Sequence, residues 1–196
     1  MDKQNVIKFF DKLAPQWDEN MIRSDEKVGK ILDYAGVKEN VSVLDVACGT
    51  GVLIPDYLAR NVKRVVGVDI SSAMIEIAKT KFRDTRASFL HGDVEELNFD
   101  SEFDCCVVYN AFPHFPDPQA LIAILSSYLK KGGRLTIAHG MSREDINGHH
   151  SQTASEVSLG LMTEVELSNV MSKYLTVDTA ISNNEMYVVS GFMVLV

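Results

Sequence analysis

From residue 41 onward the chain alternates short apolar runs with stretches of helical spacing. The runs are Val41–Val46, Arg64–Asp69, Ala87–Leu90, Phe103–Tyr109 and Arg134–His139, each the length of a buried strand. Between them, Leu53–Arg60, Ser72–Arg83 and Pro118–Leu129 repeat apolar residues at helical intervals, the last closed by Gly132 and Gly133. Strands that alternate with helices predict an α/β fold, a mostly parallel sheet covered on both faces and wound by right-handed crossovers. The tail breaks the alternation. Tyr174–Ala180 and Glu185–Val196 are β-rich and joined by Ser182-Asn183-Asn184, which predicts a hairpin and one late antiparallel strand. Residues 2 to about 35 read as helical, with Phe9, Phe10, Leu13 and Trp17 gathered there; packing on the sheet is the default role for such a cluster, and covering a cleft is the other.

The first of these strands leads straight into Ala47-Cys48-Gly49-Thr50-Gly51 and then a helix. In an open α/β sheet, ligands bind beyond the carboxyl ends of strands. Gly49 and Gly51 lack a Cβ, so the backbone there can turn sharply and approach a ligand. One helix and one strand later Asp69 ends the run Val65–Val68, where a carboxylate can accept two hydrogen bonds from a ribose diol. Together these residues predict a nucleoside site. A dinucleotide fingerprint needs a small third residue after the glycine pair, and this chain has Ile54 and then Pro55, which weakens a nicotinamide reading. Asp45, buried one step before the turn, can accept backbone N–H bonds or meet a cationic group. Taken singly, each residue also has an ordinary role: the glycines a tight turn, Asp69 a helix N-cap before Ser71 and Ser72, and Ile70 and Met74 plain core.

Composition narrows the classes further. The chain has 196 residues, 46% apolar and 23% charged, which suits one globular domain. A net charge of -8 and the lack of a basic patch interleaved with aromatics argue against a nucleic-acid substrate. No apolar stretch approaches a membrane span, and the charged start MDKQNVIKFF is unlike a secretory signal, so a cytoplasmic protein without membrane attachment is expected. Cys48, Cys105 and Cys106 show no ligand spacing, which leaves no disulfide and no structural zinc to expect; adjacent Cys105 and Cys106 should point to opposite faces of a strand.

The run Val43–Gly51, VLDVACGTG, resembles the first motif of class I S-adenosylmethionine-dependent methyltransferases, in wording similar to the quinone-biosynthetic and related small-molecule branch. The resemblance continues through His91-Gly92-Asp93-Val94, Asn110-Ala111 and Leu129–Ile137, reading LKKGGRLTI, in which Lys131 replaces the family's usual proline; FFDKLAPQWDE at Phe9–Glu19 is similar to that branch's N-terminal cap. It implies a Rossmann-like, doubly wound, seven-stranded sheet and S-adenosyl-L-methionine as cofactor. It also implies roles: Asp45 toward the methionine ammonium, Ala47, Cys48, Gly49 and Gly51 shaping the turn, and Asp69 on the ribose. Ile70 and Met74 would flank the adenine, Asp93 and Val94 would bond its edge, and Asn110 would line the sulfonium side. The corresponding division is a helical cap over residues 1–40, a cofactor core over 41–141, an acceptor-side lid over 142–172 and the hairpin over 173–196.

The acceptor side rests on the residues alone. His139, at the carboxyl end of the fifth strand, is the first candidate for a base, since imidazole titrates near neutrality. Ser142-Arg143-Glu144-Asp145 reads as a capping box that starts a helix, on which Arg143, Asn147 and His150 share a face. That face could meet an anionic acceptor group or be a solvated surface. His114 could contact the acceptor or serve packing. The histidines and Asp145 lack a tight metal-ligand spacing, so no metal is expected. Three function classes remain: methyl transfer to a small molecule at O, N or S, a nicotinamide oxidoreductase, and a cofactor-binding protein without catalysis. A homodimer is compatible with all three.

Overall fold

The computed structural model describes residues 1–19, 21–100 and 102–194. Among them, β1 Ser42–Val46, β2 Arg64–Asp69, β3 Ala87–His91, β4 Phe103–Tyr109, β5 Leu129–His139, β6 Thr176–Ser182 and β7 Tyr187–Phe192 form one seven-stranded sheet in the order β3-β2-β1-β4-β5-β7-β6. The first five strands run parallel, and β7 lies antiparallel between β5 and β6. The helices are α1 Lys3–Leu13, α2 Asp25–Tyr34, α3 Ile54–Ala59, α4 Ser72–Lys81, α5 Pro118–Ser127, α6 Arg143–Thr153 and α7 Glu164–Met171. The expected Rossmann-like, doubly wound architecture and its antiparallel hairpin are present.

Side chains of β1 and β4 are buried on both faces, as continuous apolar runs require. Leu44, Val46, Cys106 and Val108 pack beneath Leu121, Ile122 and Leu125 of α5. Val43, Cys105 and Val107 face the other way, against Val28 and Leu32 of α2 and Ile54 and Tyr57 of α3. Cys105 and Cys106 thus part to opposite cores, as the period of a strand dictates. Each such burial contributes about 1.5–3 kcal/mol.

Three local expectations change. Gly132 and Gly133 do not end a helix, because α5 stops at Ser127 and β5 starts at Leu129, five residues before the apolar run. The register slips between the pairs Phe103↔Leu129 and Cys105↔Arg134, and a Cβ on Gly133 would stand 2.9 Å from the carbonyl oxygens of Lys130 and Phe103. The glycines serve this bulge. The helical N-terminus divides in two: α1 gives way to a 3₁₀ turn at Ala14–Gln16 containing Pro15, and α2 begins only after Ser24, whose hydroxyl accepts from the Lys27 N–H. Helix α7, absent from the sequence reading, opens with a capping box between Thr163 and Glu166. In the hairpin, Asn183 Oδ1 accepts from the N–H groups of Glu185 and Met186, which turns the chain as the cluster predicted; Leu195 and Val196 lie outside the described residues.

Candidate active site

Strand order reverses between β1 and β4, so the connections from their carboxyl ends diverge and leave a crevice. The first residue after each strand, Ala47 and Asn110, has φ 54°, a left-handed conformation costing a side-chain-bearing residue about 1–3 kcal/mol. Both line a cleft of about 1080 Å³ counted with its open mouth. Asn110 is held by its own Oδ1, which accepts from the Gly140 N–H at 3.0 Å.

Backbone bonds fix the turn after β1. The Cys48 N–H donates to Val68 O at 3.0 Å, the Gly51 N–H to Cys48 O at 2.9 Å, and the Gly49 N–H to Asp69 Oδ2 at 2.8 Å. Asp69 also accepts from the Ser71 N–H at 2.8 Å, while Ser71 itself caps α4. Burial raises the Asp69 pKa, and the two N–H donors oppose the rise. Gly49, with φ 54°, lines the cleft, and the Trp17 indole nitrogen would be 3.7 Å from its Cβ. Gly51 does not line the cleft. Its φ is 85°, and a Cβ there would stand 2.6 Å from the Phe82 ring, so its smallness serves packing against Phe82. Cys48 lines the cleft with its thiol buried against Gly67.

Asp45 stands behind the turn, buried, with Oδ1 accepting from the Tyr57 hydroxyl at 3.3 Å and Oδ2 without a partner. Burial pushes its pKa up to about 8, with Asp69 adding to the rise and Tyr57 opposing it. Ile70, Met74, Asp93 and Val94 all line the cleft. Asp93 is paired with Lys3 of α1 at 2.5 Å, and Lys3 also reaches Glu95 at 2.7 Å.

That pairing belongs to a series the sequence did not reveal. Asp11 accepts from the Ser71 hydroxyl at 2.6 Å and the Ala73 N–H at 3.3 Å. Asp18 accepts from Thr50 Oγ1 at 2.5 Å and Lys81 at 2.6 Å. Arg23 donates to Asp56 at 2.7 and 2.8 Å and to Val52 O at 2.6 Å. Residues 3–19 and 21–23 therefore form a cover, with Phe10 edge-on to both Trp17 and His114 at ring separations of 5.7 and 5.0 Å. In sequence the cover was signalled by the aromatic cluster and by the resemblance of Phe9–Glu19 to an N-terminal cap, while its polar latches were not.

The four acceptor-side candidates separate. His114 lines the cleft, and its Nδ1 lies 2.7 Å from Val157 O. A carbonyl only accepts, so Nδ1 carries the proton and Nε2 keeps its lone pair. Burial lowers the His114 pKa, which favours this neutral form. His150 packs at a ring separation of 4.9 Å from His114, with Nδ1 2.8 Å from Ser158 Oγ. Burial first, then His114 and His149, lower its pKa to about 4.

His139 and Arg143 are not on the cleft wall. His139 is sealed beneath it against Tyr187 of β7, with Nε2 unpartnered and its pKa lowered by burial to about 3. Its strand pairs on both sides, which turns this residue into the core. Arg143 donates through Nε to Leu161 O at 2.8 Å, and Asn147 Oδ1 accepts from the Leu161 N–H at 2.6 Å. The shared face of Arg143, Asn147 and His150 does exist, but it holds the loop before α7. Ser142 starts α6 as predicted, accepting from the Asp145 N–H at 3.0 Å. Among the described residues no cluster of three or more His, Cys, Asp or Glu could hold a metal, and no helix is long and apolar enough to cross a membrane.

The cleft fits the ribose of an adenosyl amino acid through Asp69. A carboxylate accepts about four hydrogen bonds, and the two N–H donors on Asp69 leave capacity for a diol. Asp45 is not on the cleft wall: it lies buried behind the turn, where burial favours its neutral acid form. Comparison with known proteins agrees. Residues 43–133 match the family model described as a methyltransferase domain. An uncharacterized methyltransferase of Schizosaccharomyces pombe is 30% identical over 182 residues, 79% of this chain and 63% of its own length. The ubiquinone biosynthesis O-methyltransferase of Coxiella burnetii is 29% identical over 69% of this chain and 61% of its own length. The chain thus spans less than two thirds of these relatives. Among solved structures, the complex of the Haloferax volcanii Trm112 methyltransferase activator with a methyltransferase matches in fold, with TM-score 0.81, 20% identity and coverage of 95% of this chain and 98% of that one. These matches favour methyl transfer over the nicotinamide reading: residues 43–133 carry the match to a methyltransferase domain, and the switch-point turn with its acid is similar to that of S-adenosylmethionine-dependent methyltransferases.

Proposed function

We propose that this chain binds S-adenosylmethionine in the cleft and transfers its methyl group to a small molecule at an oxygen, nitrogen or sulfur atom by direct displacement. The observation that carries the reading is the strained pair Ala47 and Asn110 across the switch point, with Asp69 pinned to the turn between β1 and β2. Asp69 would hold the ribose hydroxyls, and Asp93 with the Val94 N–H the adenine edge, between Ile70 and Met74. Bound S-adenosylmethionine supplies a methyl group already activated on a sulfonium.

The chain's own work is then to align the acceptor and exclude water, an effect worth about 7–11 kcal/mol. Phe10 and Trp17 roof the turn and separate it from solvent. The acceptor's proton goes to His114 Nε2, the nitrogen that the Val157 contact leaves bare on a cleft-lining ring that burial keeps neutral. His114 takes the role that sequence position suggested for His139, and His150 packs behind it.

Calorimetric titration tests the cofactor: S-adenosylhomocysteine is expected to bind, and binding of NAD(P) in its place overturns the proposal. Incubation with methyl-labelled cofactor and a broad metabolite extract tests the transfer. Label is expected in a small molecule; cofactor binding without transferred label assigns the chain to binding without catalysis.

A further inference from the structure

The cleft wall contains five charged side chains among the described residues, Lys3, Arg23, Asp69, Asp93 and Glu95, and each is already answered within the chain. Lys3 holds Asp93 and Glu95, Arg23 holds Asp56, and Asp69 accepts two backbone N–H groups. None of these wall cations is left to neutralise an anionic acceptor, and a buried unpaired charge costs several kcal/mol. The uncharged part of the wall carries the large apolar side chains Phe10, Trp17, Met21 and Phe115, with Tyr109, Asn110 and His114 as its polar members. It runs to the surface at Ile22, which lines the cleft yet is 94% exposed.

We infer that the acceptor is an uncharged, apolar molecule whose nucleophilic X–H stands at His114 and whose alkyl or aryl body lies along Phe10, Trp17 and Met21 and leaves the cleft over Ile22. This deepens the methyl-transfer reading and rests on it. In the transfer, the X–H bond breaks as its electron pair forms the bond to the methyl carbon, the sulfonium leaves as a neutral thioether, and the proton passes to His114 Nε2. Arg143, the one arginine that sequence alone offered to an anionic group, is turned to the Leu161 carbonyl and contributes nothing to the wall.

Trp17 is the chain's only tryptophan and sits in the wall, so its fluorescence reports binding without turnover. A first titration with S-adenosylhomocysteine tests the reading beneath: failure to bind overturns the cofactor assignment itself. With S-adenosylhomocysteine saturating, para-hexylphenol, para-hexylbenzoate and para-hexylbenzylammonium are then compared. The neutral phenol is expected to bind at least about tenfold more tightly than either ion, a difference of about 1.4 kcal/mol. Ile22→Asp, at an exposed position where folding is not at stake, is expected to weaken para-hexylphenol several-fold and to leave unsubstituted phenol unchanged. An ion that binds as tightly as the phenol, an absence of binding by all three beside a bound S-adenosylhomocysteine, or an Ile22→Asp variant with full affinity for para-hexylphenol each overturns the inference.

Discussion

The floor of the cleft and its cover are built by opposite means. The floor, Ala47 to Gly51, is fixed by main-chain bonds to Val68 and Cys48 and by a buried carboxylate. The cover, residues 3–19 and 21–23, is fastened by the side chains of Lys3, Asp11, Asp18 and Arg23, most of them partly exposed. A partly exposed ion pair contributes about 0–1 kcal/mol, whereas a distorted turn costs several. The floor is therefore preformed and the cover is the part able to open for a ligand. Such an asymmetry lets a site keep its geometry while still admitting two molecules in succession.

The comparison is broken most severely at Gly51. Gly51→Val places side-chain atoms into the Phe82 ring at a left-handed position, and strain plus overpacking are expected to cost about 4 kcal/mol in thermal or denaturant unfolding. Gly29→Ala, where a Cβ meets nothing within 4 Å, is the control and should be neutral or stabilising. Equal stability of both variants would remove the claim of a rigid floor. Next comes His114→Gln, expected to lower kcat by about a hundredfold, near 3 kcal/mol, with the affinity for S-adenosylhomocysteine unchanged. A matched loss in both quantities would make His114 structural.

The floor also predicts a pH effect. Asp45 has a folded pKa of about 8 against 3.8 unfolded, so between these values the native chain binds the extra proton and stability falls as pH rises. Burial of neutral His139 and His150 acts in the opposite sense below their ordinary value of 6.5, where the unfolded chain binds more protons. The fall should therefore be clearest between pH 6.5 and 8, amounting to about 2 kcal/mol, and Asp45→Asn should flatten it. A denaturation midpoint that stays level across that window in the native sequence counts against a protonated Asp45. The smallest effect belongs to the cover: Lys3→Met is expected to change stability by less than about 1 kcal/mol and to leave S-adenosylhomocysteine affinity equal or higher, since Asp93 is freed. A large loss of affinity would show that the latch helps build the site.

What could be read in advance follows the same division. Strands Arg64–Asp69 and Phe103–Tyr109 lie where their apolar runs begin and end, because strands buried on both faces leave an unbroken hydrophobic signature. The turn was equally legible, since Gly49 and Asp69 belong to one local pattern. Gly132 and Gly133 misled because a bulge and a helix stop demand the same residue. Helix α7 escaped because eight residues carry too little periodicity. The latches join residues 29 to 92 positions apart, from Arg23 with Val52 to Lys3 with Glu95, and no spacing rule encodes such meetings. His139 was misjudged for a related reason: position at a strand's end does not tell which way the ring turns.

The place of β7 in the sheet carries one last consequence. Among the described strands β6 has β7 as its sole neighbour and is made before it, while β5 waits beside a gap that only β7 fills. As the chain leaves the ribosome, β6 must therefore remain unpaired until the later strand emerges, and both join in one long-range closing step. Synthesis order and spatial order run against each other at this edge, so the sheet is completed by insertion and not by simple addition at its rim.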